Sequence, residues 1–548
     1  MPGRRRTKQD FIPVVDLFAG PGGLGEGFAS LEIDGSHPYR LVLSVERDPI
    51  AHQTLELRAF YREFVSREQP LPPAYYRHVR NPRGYTRADL FEDFPEQAEA
   101  ARREACLATL GEPEGDAEVA RRLEALKKEG IDFSKAVIIG GPPCQAYSLV
   151  GRSRMSRAKA SGEYVETEDG RHILYRQYLK LLEDLQPAAF VMENVRGILS
   201  AKYQGKAIFP QILADLEGAG YDLHALGGED AVDAEDATSL FGDVSETVRQ
   251  PSDFLLLAHD YGVPQKRARV FVVGTRSDLE VASLARPERV EHPRTVREAI
   301  GDLPKIRSGL SKGDDAAAWK DTVRKSADSL VEQLDGATTE IENLLLSIAR
   351  PRSQVGGGNR NDRGGGFVES DSAAETQPEL GGVLNHESRG HIPGDIERYL
   401  YYAAWAKTDG GNAASPTLGD LPASILPAHE NVQQAARSGT LDAVAFADRF
   451  RVQVANEPST TVTSHISKDG HYYIHYDPRQ CRSLTVREAA RLQTFPDDYF
   501  FCGPRTEQYK QVGNAVPPML ARKIAGVVVD ASPKINKAIK TNGRRKRS

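Results

Sequence analysis

The residues with the clearest chemical potential form the stretch Gly-Gly-Pro-Pro-Cys-Gln-Ala-Tyr-Ser at positions 140–148, in which Cys144 follows two prolines. An apolar run at residues 136–139 comes directly before it and predicts a buried strand. Because proline fixes φ and lacks a backbone N–H, the two prolines stiffen the turn that carries the thiol. A thiolate is a strong nucleophile, so the pattern indicates covalent catalysis by Cys144, with a buried structural cysteine as the alternative.

A glycine-rich segment, Asp-Leu-Phe-Ala-Gly-Pro-Gly-Gly at residues 16–23, joins a predicted strand to a predicted helix. Glycines at such a turn let the backbone approach a ligand closely. Glu46 ends the next predicted strand, about where an acidic side chain reaches the ribose hydroxyls of an adenosine-containing cofactor. Alone, Glu46 is equally well explained as a solvated acid, but the two features together indicate a nucleoside-type cofactor.

Three charged residues adjoin other strand-like runs. Glu193 follows the run at 188–192, where a carboxyl group suits proton transfer to a substrate; a helix-capping role is the alternative. Arg267 and Arg269 precede the run at 270–273 and alternate in sequence. In an extended chain their side chains would project to the same side and could donate hydrogen bonds to an oxygen of the substrate. The alternative is ordinary surface charge.

The elements that must position these residues alternate between strands and helices. Strand-like runs occur at residues 12–18, 41–45, 136–139, 188–192, 254–257 and 270–273, with helical patterns at 24–31, 174–185 and 208–216. This alternation predicts an α/β sheet covered on both faces. Two regions interrupt it: a highly charged stretch at about 60–133, predicted to be an insertion packed beside the sheet, and a region at about 277–450 with a glycine-rich stretch at 356–366, predicted to be an inserted second domain.

Length and composition exclude several classes of protein. A chain of 548 residues with 40% hydrophobic residues is predicted to be globular, soluble and divided into two or more units, and it has no apolar run long enough to span a membrane. Four cysteines without close pairing indicate a reducing compartment. The net charge of −6 argues weakly against a nucleic-acid partner, although a local cationic surface would suffice. The basic segment 531–548 is predicted to be a flexible tail.

These segments, in this order, resemble the bacterial type of DNA (cytosine-5)-methyltransferase. The resemblance covers about residues 14–276 and 456–530, including Arg-Ser-Leu-Thr-Val-Arg-Glu at 482–488, Leu-Gln-Thr-Phe-Pro at 492–496 and Gln-Val-Gly-Asn-Ala-Val-Pro-Pro at 511–518. It implies a Rossmann-like, S-adenosylmethionine-dependent methyltransferase sheet with an inserted target-recognition domain. The catalytic domain would comprise residues 1–276 and 456–530, and the target-recognition domain residues 277–455.

The resemblance also implies roles for individual residues. Cys144 would attack carbon 6 of cytosine, Glu193 would hold or protonate N3, and Arg267 and Arg269 would steady O2 and the active-site loop, after the base has rotated out of the duplex. Two residues of the cysteine loop would contact DNA, and eight residues would form the pocket for S-adenosylmethionine. These are Gln145 and Ser148 for DNA, and Phe18, Gly20, Gly22, Gly23, Glu46, Asn514, Ala515 and Val516 for the cofactor.

Two departures from the family pattern limit the assignment. Tyr147 stands where the family usually has phenylalanine. The segment between Glu46 and Gly140 is unusually long, so the acid that meets the adenine amino group is assigned to Asp89 only by its place in that segment.

No metal site is expected, because the spacing of His386 and His391 does not put both on one helical face. The base that removes the carbon 5 proton and the recognised DNA sequence are not readable.

The family's usual setting predicts a bacterial restriction–modification or phage-defence role. The expected partners are double-stranded DNA and a cognate restriction nuclease or other defence proteins, with no membrane, for a monomer in the cytoplasm near the nucleoid. The alternatives are an orphan regulatory methyltransferase, a transfer-RNA cytosine methyltransferase and a DNA-binding scaffold without activity. A methyltransferase acting on exocyclic amino groups is disfavoured, because Cys144 follows the two prolines where that class needs an Asp/Asn/Ser-Pro-Pro-aromatic motif.

Overall fold

A computed structural model provides the structure of the chain. It describes residues 11–143, 171–203, 206–227, 250–281, 283–334, 339–349, 366–376, 378–408, 415–444 and 446–530. Within these ranges no helix is both long and apolar enough to cross a bilayer. The same residues contain no group of three or more His, Cys, Asp and Glu side chains placed to hold a metal ion.

The secondary structure alternates strands and helices in the first half of the chain and is mostly helical afterwards. The strands are β1 Ile12–Leu17, β2 Tyr39–Glu46, β3 Ala105–Leu107, β4 Val137–Gly140, β5 Ala189–Val195, β6 Lys202–Tyr203, β7 Lys206–Ala207, β8 Tyr221–Ala225, β9 Leu255–Leu257, β10 Gln265–Lys266, β11 Ala268–Arg276, β12 Gly309–Leu310, β13 Val368–Glu369, β14 Gly382–Val383, β15 Gly390–His391 and β16 Ser459–Thr460. The helices are α1 Gly23–Ala29, α2 Pro49–Val65, α3 Pro73–Arg80, α4 Arg87–Asp93, α5 Pro95–Glu104, α6 Pro113–Glu129, α7 Arg171–Leu185, α8 Phe209–Gly218, α9 Val296–Ile300, α10 Ala316–Leu334, α11 Thr339–Ala349, α12 Asp371–Thr376, α13 Pro393–Thr408, α14 Glu430–Ser438, α15 Val486–Leu492, α16 Arg505–Asn514 and α17 Pro518–Asp530.

The main sheet has the strand order β3-β2-β1-β4-β5-β11-β8, with β9 paired to β11. The five strands from β3 to β5 are parallel, whereas β11 runs antiparallel to β5, β8 and β9. From β1 the chain adds β2 and β3 on one side, and it then crosses to the other side of β1 to form β4 and β5. The strand order therefore changes direction between β1 and β4. In open α/β sheets, ligands bind outside the carboxyl ends of the strands at this point.

Helices cover both faces of the sheet. Residues of β1 alternate between the two sides: Val14 packs in the cluster that contains Phe28 of α1 and Leu520 of α17, and Val15 packs in the cluster that contains Leu182 of α7. Every residue of β1 is buried. A parallel strand that is covered on both faces is a near-continuous apolar run, here interrupted only by Asp16, which explains why this segment was recognisable from the sequence.

The chain divides into two compact units. In the described chain, the first comprises residues 11–69, 95–292 and 515–530, and the second comprises residues 70–94 and 293–514. The boundaries differ from the predicted ones, because residues 456–514 group with the second unit and only the segment from Ala515 groups with the sheet. The charged stretch at 60–133 is also more than an insertion beside the sheet: it contains the edge strand β3, and part of it belongs to the second unit.

The interior of the second unit contains a buried ionic anchor. Arg482 donates to both carboxylate oxygens of Glu488 at 2.6 Å, and both side chains are shielded from solvent. Thr485 caps α15 by accepting a hydrogen bond from the backbone N–H of Glu488. Burial alone would raise the pKa of Glu488, but the Arg482 guanidinium overcomes this and holds that pKa far below its ordinary range. The segment at 482–488 is therefore an internal anchor of this unit.

Candidate active site

The glycine-rich turn after β1 leaves open space above its backbone. Phe18 and Gly20 both have φ of +57°, and Gly22, which precedes α1, has φ of +94°. Glycine adopts such angles without strain, whereas Phe18 does so at some cost. Nothing lies within 4 Å of the position that a Cβ on Gly20 would occupy. Gly23 is buried as the first residue of α1. The turn therefore offers an open cradle at the carboxyl end of β1.

Glu46 brings a carboxylate to this cradle. Its Oε2 accepts a hydrogen bond of 2.7 Å from the backbone N–H of Gly20, and its Oε1 accepts one of the same length from Asp48. Burial raises the pKa of Glu46, although these backbone donors oppose the shift. Each carboxylate oxygen keeps further acceptor capacity, which suits the hydroxyl groups of a ribose. The residues at this turn therefore fit an adenosine-containing cofactor.

A second carboxyl group lies beneath the turn. Asp16 is only 1% exposed, and burial raises its pKa well above the ordinary value. A Cβ on Gly25 of α1 would come within 2.8 Å of Asp16 Oδ2, so this glycine is needed for α1 to pass over the buried acid. Asp16 belongs to the glycine-rich motif, but nothing local in the sequence shows that its carboxyl group is enclosed.

On β5, Glu193 forms an ion pair with Arg269 of the neighbouring strand β11. Glu193 Oε1 lies 2.9 Å from Arg269 Nε, and each side chain is 13% exposed. The antiparallel register puts Glu193 opposite Phe271, two residues from Arg269, so strand pairing holds the two groups together. Burial lowers the pKa of Arg269, an effect that the Glu193 carboxylate opposes. This carboxylate is therefore fixed in position by a cation.

The same carboxylate lies against the start of the loop that leads to Cys144. A Cβ on Gly141 would come within 2.9 Å of Glu193 Oε2. Next to Glu193, the buried Asn194 donates a hydrogen bond of 3.1 Å from Nδ2 to the carbonyl oxygen of Pro142. Gly141 belongs to the cysteine motif and Asn194 follows Glu193 in sequence, but only the pairing of β4 with β5 brings the two segments together. Cys144, Gln145 and Ser148 lie outside the described residues.

Arg267 differs from the prediction that it acts beside Arg269. Its side chain is 1% exposed, and its Nη2 donates a hydrogen bond of 2.9 Å to the carbonyl oxygen of Ala515. The alternation argument required one continuous strand, but the strand is interrupted between β10 and β11 at Arg267. The two arginines consequently have different partners, and Arg267 supports the segment at 515–516.

The C-terminal segment packs against the start of the sheet. Ala515 and Val516 are buried, and Val516 belongs to the same apolar cluster as Val14 of β1. A Cβ on Gly27 of α1 would come within 2.3 Å of Ala521 Cβ in α17, so the two helices are in close contact. This is the return of the last helix beside β1 that the resemblance implied. Asn514 is exposed at the end of α16, in the second unit.

Asp89 caps a helix of the second unit, and its contact with the adenine amino group stays a prediction. It lies in α4 of the second unit, where its carboxylate accepts hydrogen bonds from the backbone N–H and the hydroxyl of Thr86 in a capping box. The hydrogen bonds from Thr86 lower its pKa. The third strand of the sheet is β3, and the residue after it is Ala108, not an acid. Asp89 was chosen because the position of this short strand was not recognised.

Comparison with known proteins identifies the family. The type II methyltransferase M.Bpa9945I of Bacillus paralicheniformis is 34% identical over 531 residues, covering 94% of this chain and 98% of that protein. The type II methyltransferase M.AgeI of Thalassovita gelatinovora is 28% identical, covering 72% of this chain and 82% of that protein. The DNA (cytosine-5-)-methyltransferase M.ApeKI of Aeropyrum pernix is 27% identical, covering 75% and 84%. Residues 121–530 match the family of C-5 cytosine-specific DNA methylases. The chain therefore belongs to this family and is a DNA (cytosine-5-)-methyltransferase.

Proposed function

We propose that this protein methylates carbon 5 of cytosine in a specific double-stranded DNA sequence, through a covalent bond between Cys144 and carbon 6 of an extruded base. The observation that carries the proposal is the position of the Glu193 carboxylate. It is held by Arg269 and adjoins Gly141 at the start of the loop that leads to Cys144. A nucleophile and a carboxyl group would thus act on one ring.

The reaction needs electrons at carbon 5, which is a poor nucleophile in free cytosine. The Cys144 thiolate would form a bond to carbon 6 as the double bond between carbons 5 and 6 opens towards carbon 5, and Glu193, after taking up a proton from water, would pass that proton to N3. S-adenosylmethionine, when bound, would supply the methyl group to carbon 5 and leave as S-adenosylhomocysteine. A base removes the proton from carbon 5, N3 returns its proton, and the sulfur–carbon bond breaks to restore the aromatic ring and the thiolate.

The other residues of the first unit would hold the reacting groups. Glu46 and the turn with Phe18, Gly20, Gly22 and Gly23 would bind the adenosine part of the cofactor. Arg269 would keep Glu193 oriented and contact the base at O2, while Arg267 would support the segment at 515–516. Gln145 and Ser148 would contact DNA beside the target.

Extrusion of the target cytosine is required, because the ring faces are inaccessible in a stacked duplex. Unstacking and unpairing cost a few kcal/mol, which contacts between protein and DNA must offset. We assign recognition of the DNA sequence to the region at 277–455, whose described residues from position 293 onward lie in the second unit. The protein would act on DNA as a monomer.

A restriction–modification role is supported by the relatives named type II methyltransferases. Methylation by this protein would then protect the host DNA from a cognate nuclease. The competing role is that of an orphan regulatory enzyme. Bisulfite sequencing of DNA from expressing cells would define the recognised sequence, and a neighbouring nuclease that cleaves only unmethylated copies of it would support the first role. Absence of any such nuclease activity would favour the second.

The covalent step is tested by trapping. Duplex DNA synthesised with 5-fluorocytosine in place of cytosine is expected to form an adduct that survives denaturing electrophoresis, because fluorine cannot leave as the proton does. Cys144→Ala is expected to form no adduct and to transfer no methyl group, while it still binds S-adenosylmethionine. Cys502→Ala is the matched control, since this buried cysteine lies in the second unit. Trapping or turnover by Cys144→Ala would refute the mechanism.

A further inference from the structure

The second unit contains a cavity whose rim is strongly cationic. The cavity has a volume of about 480 Å³, and four exposed basic residues line it: Arg297, Lys305, Lys407 and Arg479. We call it the cationic cavity. Its volume is in the range of sites that hold small organic ligands. None of the residues to which we assign roles in methyl transfer lines it.

The basic side chains at the rim are largely uncompensated. Among the residues that the structure describes, Lys305, Lys407 and Arg479 have no ion-pair partner. Of the two carboxylates in the lining, Glu488 is paired with Arg482, which leaves Asp477 as one acid against the four basic residues. Like charges gathered around one opening repel each other, and a bound anion relieves that repulsion. The rim therefore suits a group with more than one negative charge, such as a phosphate.

An aromatic side chain forms part of the cavity wall. The ring of the half-buried Tyr476 stacks on His475 with centroids 4.5 Å apart and an interplanar angle of 24°. The exposed Arg297 guanidinium lies over the Tyr476 ring, 5.4 Å from its centroid, so a base that stacks on this ring must displace the Arg297 side chain. An aromatic ring held beside cations is the arrangement that binds the base and the phosphate of a nucleotide.

A carboxylate on the same wall offers acceptors to a base. Asp477 is half-buried, and its Oδ1 accepts a hydrogen bond of 3.1 Å from the backbone N–H of Arg479. A carboxylate has about four acceptor positions, so Asp477 keeps capacity for the exocyclic amino group of a nucleobase. The wall thus combines a stacking surface with an acceptor.

We propose that the cationic cavity binds a nucleoside phosphate, with the base against Tyr476 and Asp477 and the phosphate at the basic rim. The ligand can come from the pool of free nucleotides or from an unpaired nucleotide of a DNA strand, since both present the same groups. The proposal does not depend on the mechanism of methyl transfer.

The test measures binding of GDP to the full-length protein by calorimetry. Guanine has an exocyclic amino group, and S-adenosylhomocysteine at saturation keeps GDP out of the cofactor pocket. One saturable site is expected. The double variant Lys305→Glu/Arg479→Glu and the variant Tyr476→Leu are each expected to weaken binding by about tenfold or more, because the first removes the cations that attract the phosphate and the second removes the ring that stacks on the base. Lys320→Glu on α10 is the matched control, because Lys320 is exposed but does not line the cavity.

The outcomes distinguish the two sources of the bound nucleotide from each other, and both from failure of the proposal. A single-stranded tetranucleotide that displaces GDP identifies an unpaired strand as a ligand, and failure of the tetranucleotide to displace it identifies the free nucleotide. Thermal unfolding shows whether each variant is folded. The proposal is overturned if the folded wild-type protein binds no GDP, or if the cavity variants bind it as well as Lys320→Glu does.

Discussion

Replacement of Gly141 by alanine tests whether the position of the Glu193 carboxylate governs the reaction. Gly141 does not have a positive φ, so alanine suits its backbone, but the added Cβ would lie 2.9 Å from Glu193 Oε2. Ordinary contacts begin near 3.4 Å, so the carboxylate must retreat by about half an ångström. It cannot do so freely, because Arg269 holds its other oxygen at 2.9 Å.

The expected loss of rate follows from this displacement. A misplacement of about 1 Å at a reacting group costs about a hundredfold, so half of that predicts about a tenfold fall in kcat/KM for DNA. The free energy of unfolding is expected to change little, since the displaced atom is the terminal oxygen of the Glu193 side chain and not part of the backbone. Affinity for S-adenosylmethionine is expected to be preserved, because Gly20 and Glu46 belong to other strand ends.

The assay is transfer of labelled methyl groups to unmethylated genomic DNA, with initial rates measured over a range of DNA concentrations. Gly218→Ala is the matched control, since nothing lies within 4 Å of its added Cβ and its φ is not positive. If Gly141→Ala methylates DNA at the wild-type kcat/KM, Glu193 is either not held as described or not involved in the chemistry.

Three further predictions concern the cofactor segment and stability. Arg267→Ala removes the buried hydrogen bond to the carbonyl oxygen of Ala515, so we expect a stability loss of about 1–3 kcal/mol in urea unfolding and weaker S-adenosylmethionine binding in calorimetry; wild-type affinity in a folded variant would contradict the supporting role. Asp16 has a raised pKa in the folded state, so its neutral form stabilises the fold and this contribution is lost as pH rises. Asp16→Asn should therefore gain stability over the wild type as pH rises above about 4, and parallel stability curves from pH 5 to 8 would refute this. Gly526→Ala lies inside α17 with open space around the new Cβ, so unfolding should cost about 1 kcal/mol more, and an unchanged urea midpoint would contradict it.

Most of the sheet was predictable because its strands carry a strong local signal. The segments at β1, β2, β4, β5, β9 and β11 were all recognised, since strands buried on both faces read as continuous apolar runs. The edge strand β3 was missed, because three residues within a charged helical stretch give too short a pattern. The acid that meets the adenine amino group is hard to locate for the same reason, because its position depends on where the third strand ends, and Asp89 stays a prediction.

The partners of the site residues were less predictable than their positions. The sequence placed Glu46 and Glu193 at strand ends, but the contacts of Arg267 with Ala515 and of Asn194 with Pro142 join residues far apart in the chain. Such contacts depend on which strands are neighbours and on where a strand is interrupted. Neither can be inferred from the local periodicity of the sequence.

By itself, the sequence determined the α/β class, the family and the residue types available for chemistry, because motif order and apolar runs are local properties of the chain. Only the tertiary structure decided that Glu193 is held by Arg269 against Gly141, and that the segment at 482–488 is an internal anchor of the second unit. The reason is physical: burial and pairing of charged groups depend on the strand order and on packing between distant segments, which together determine the neighbours of each side chain.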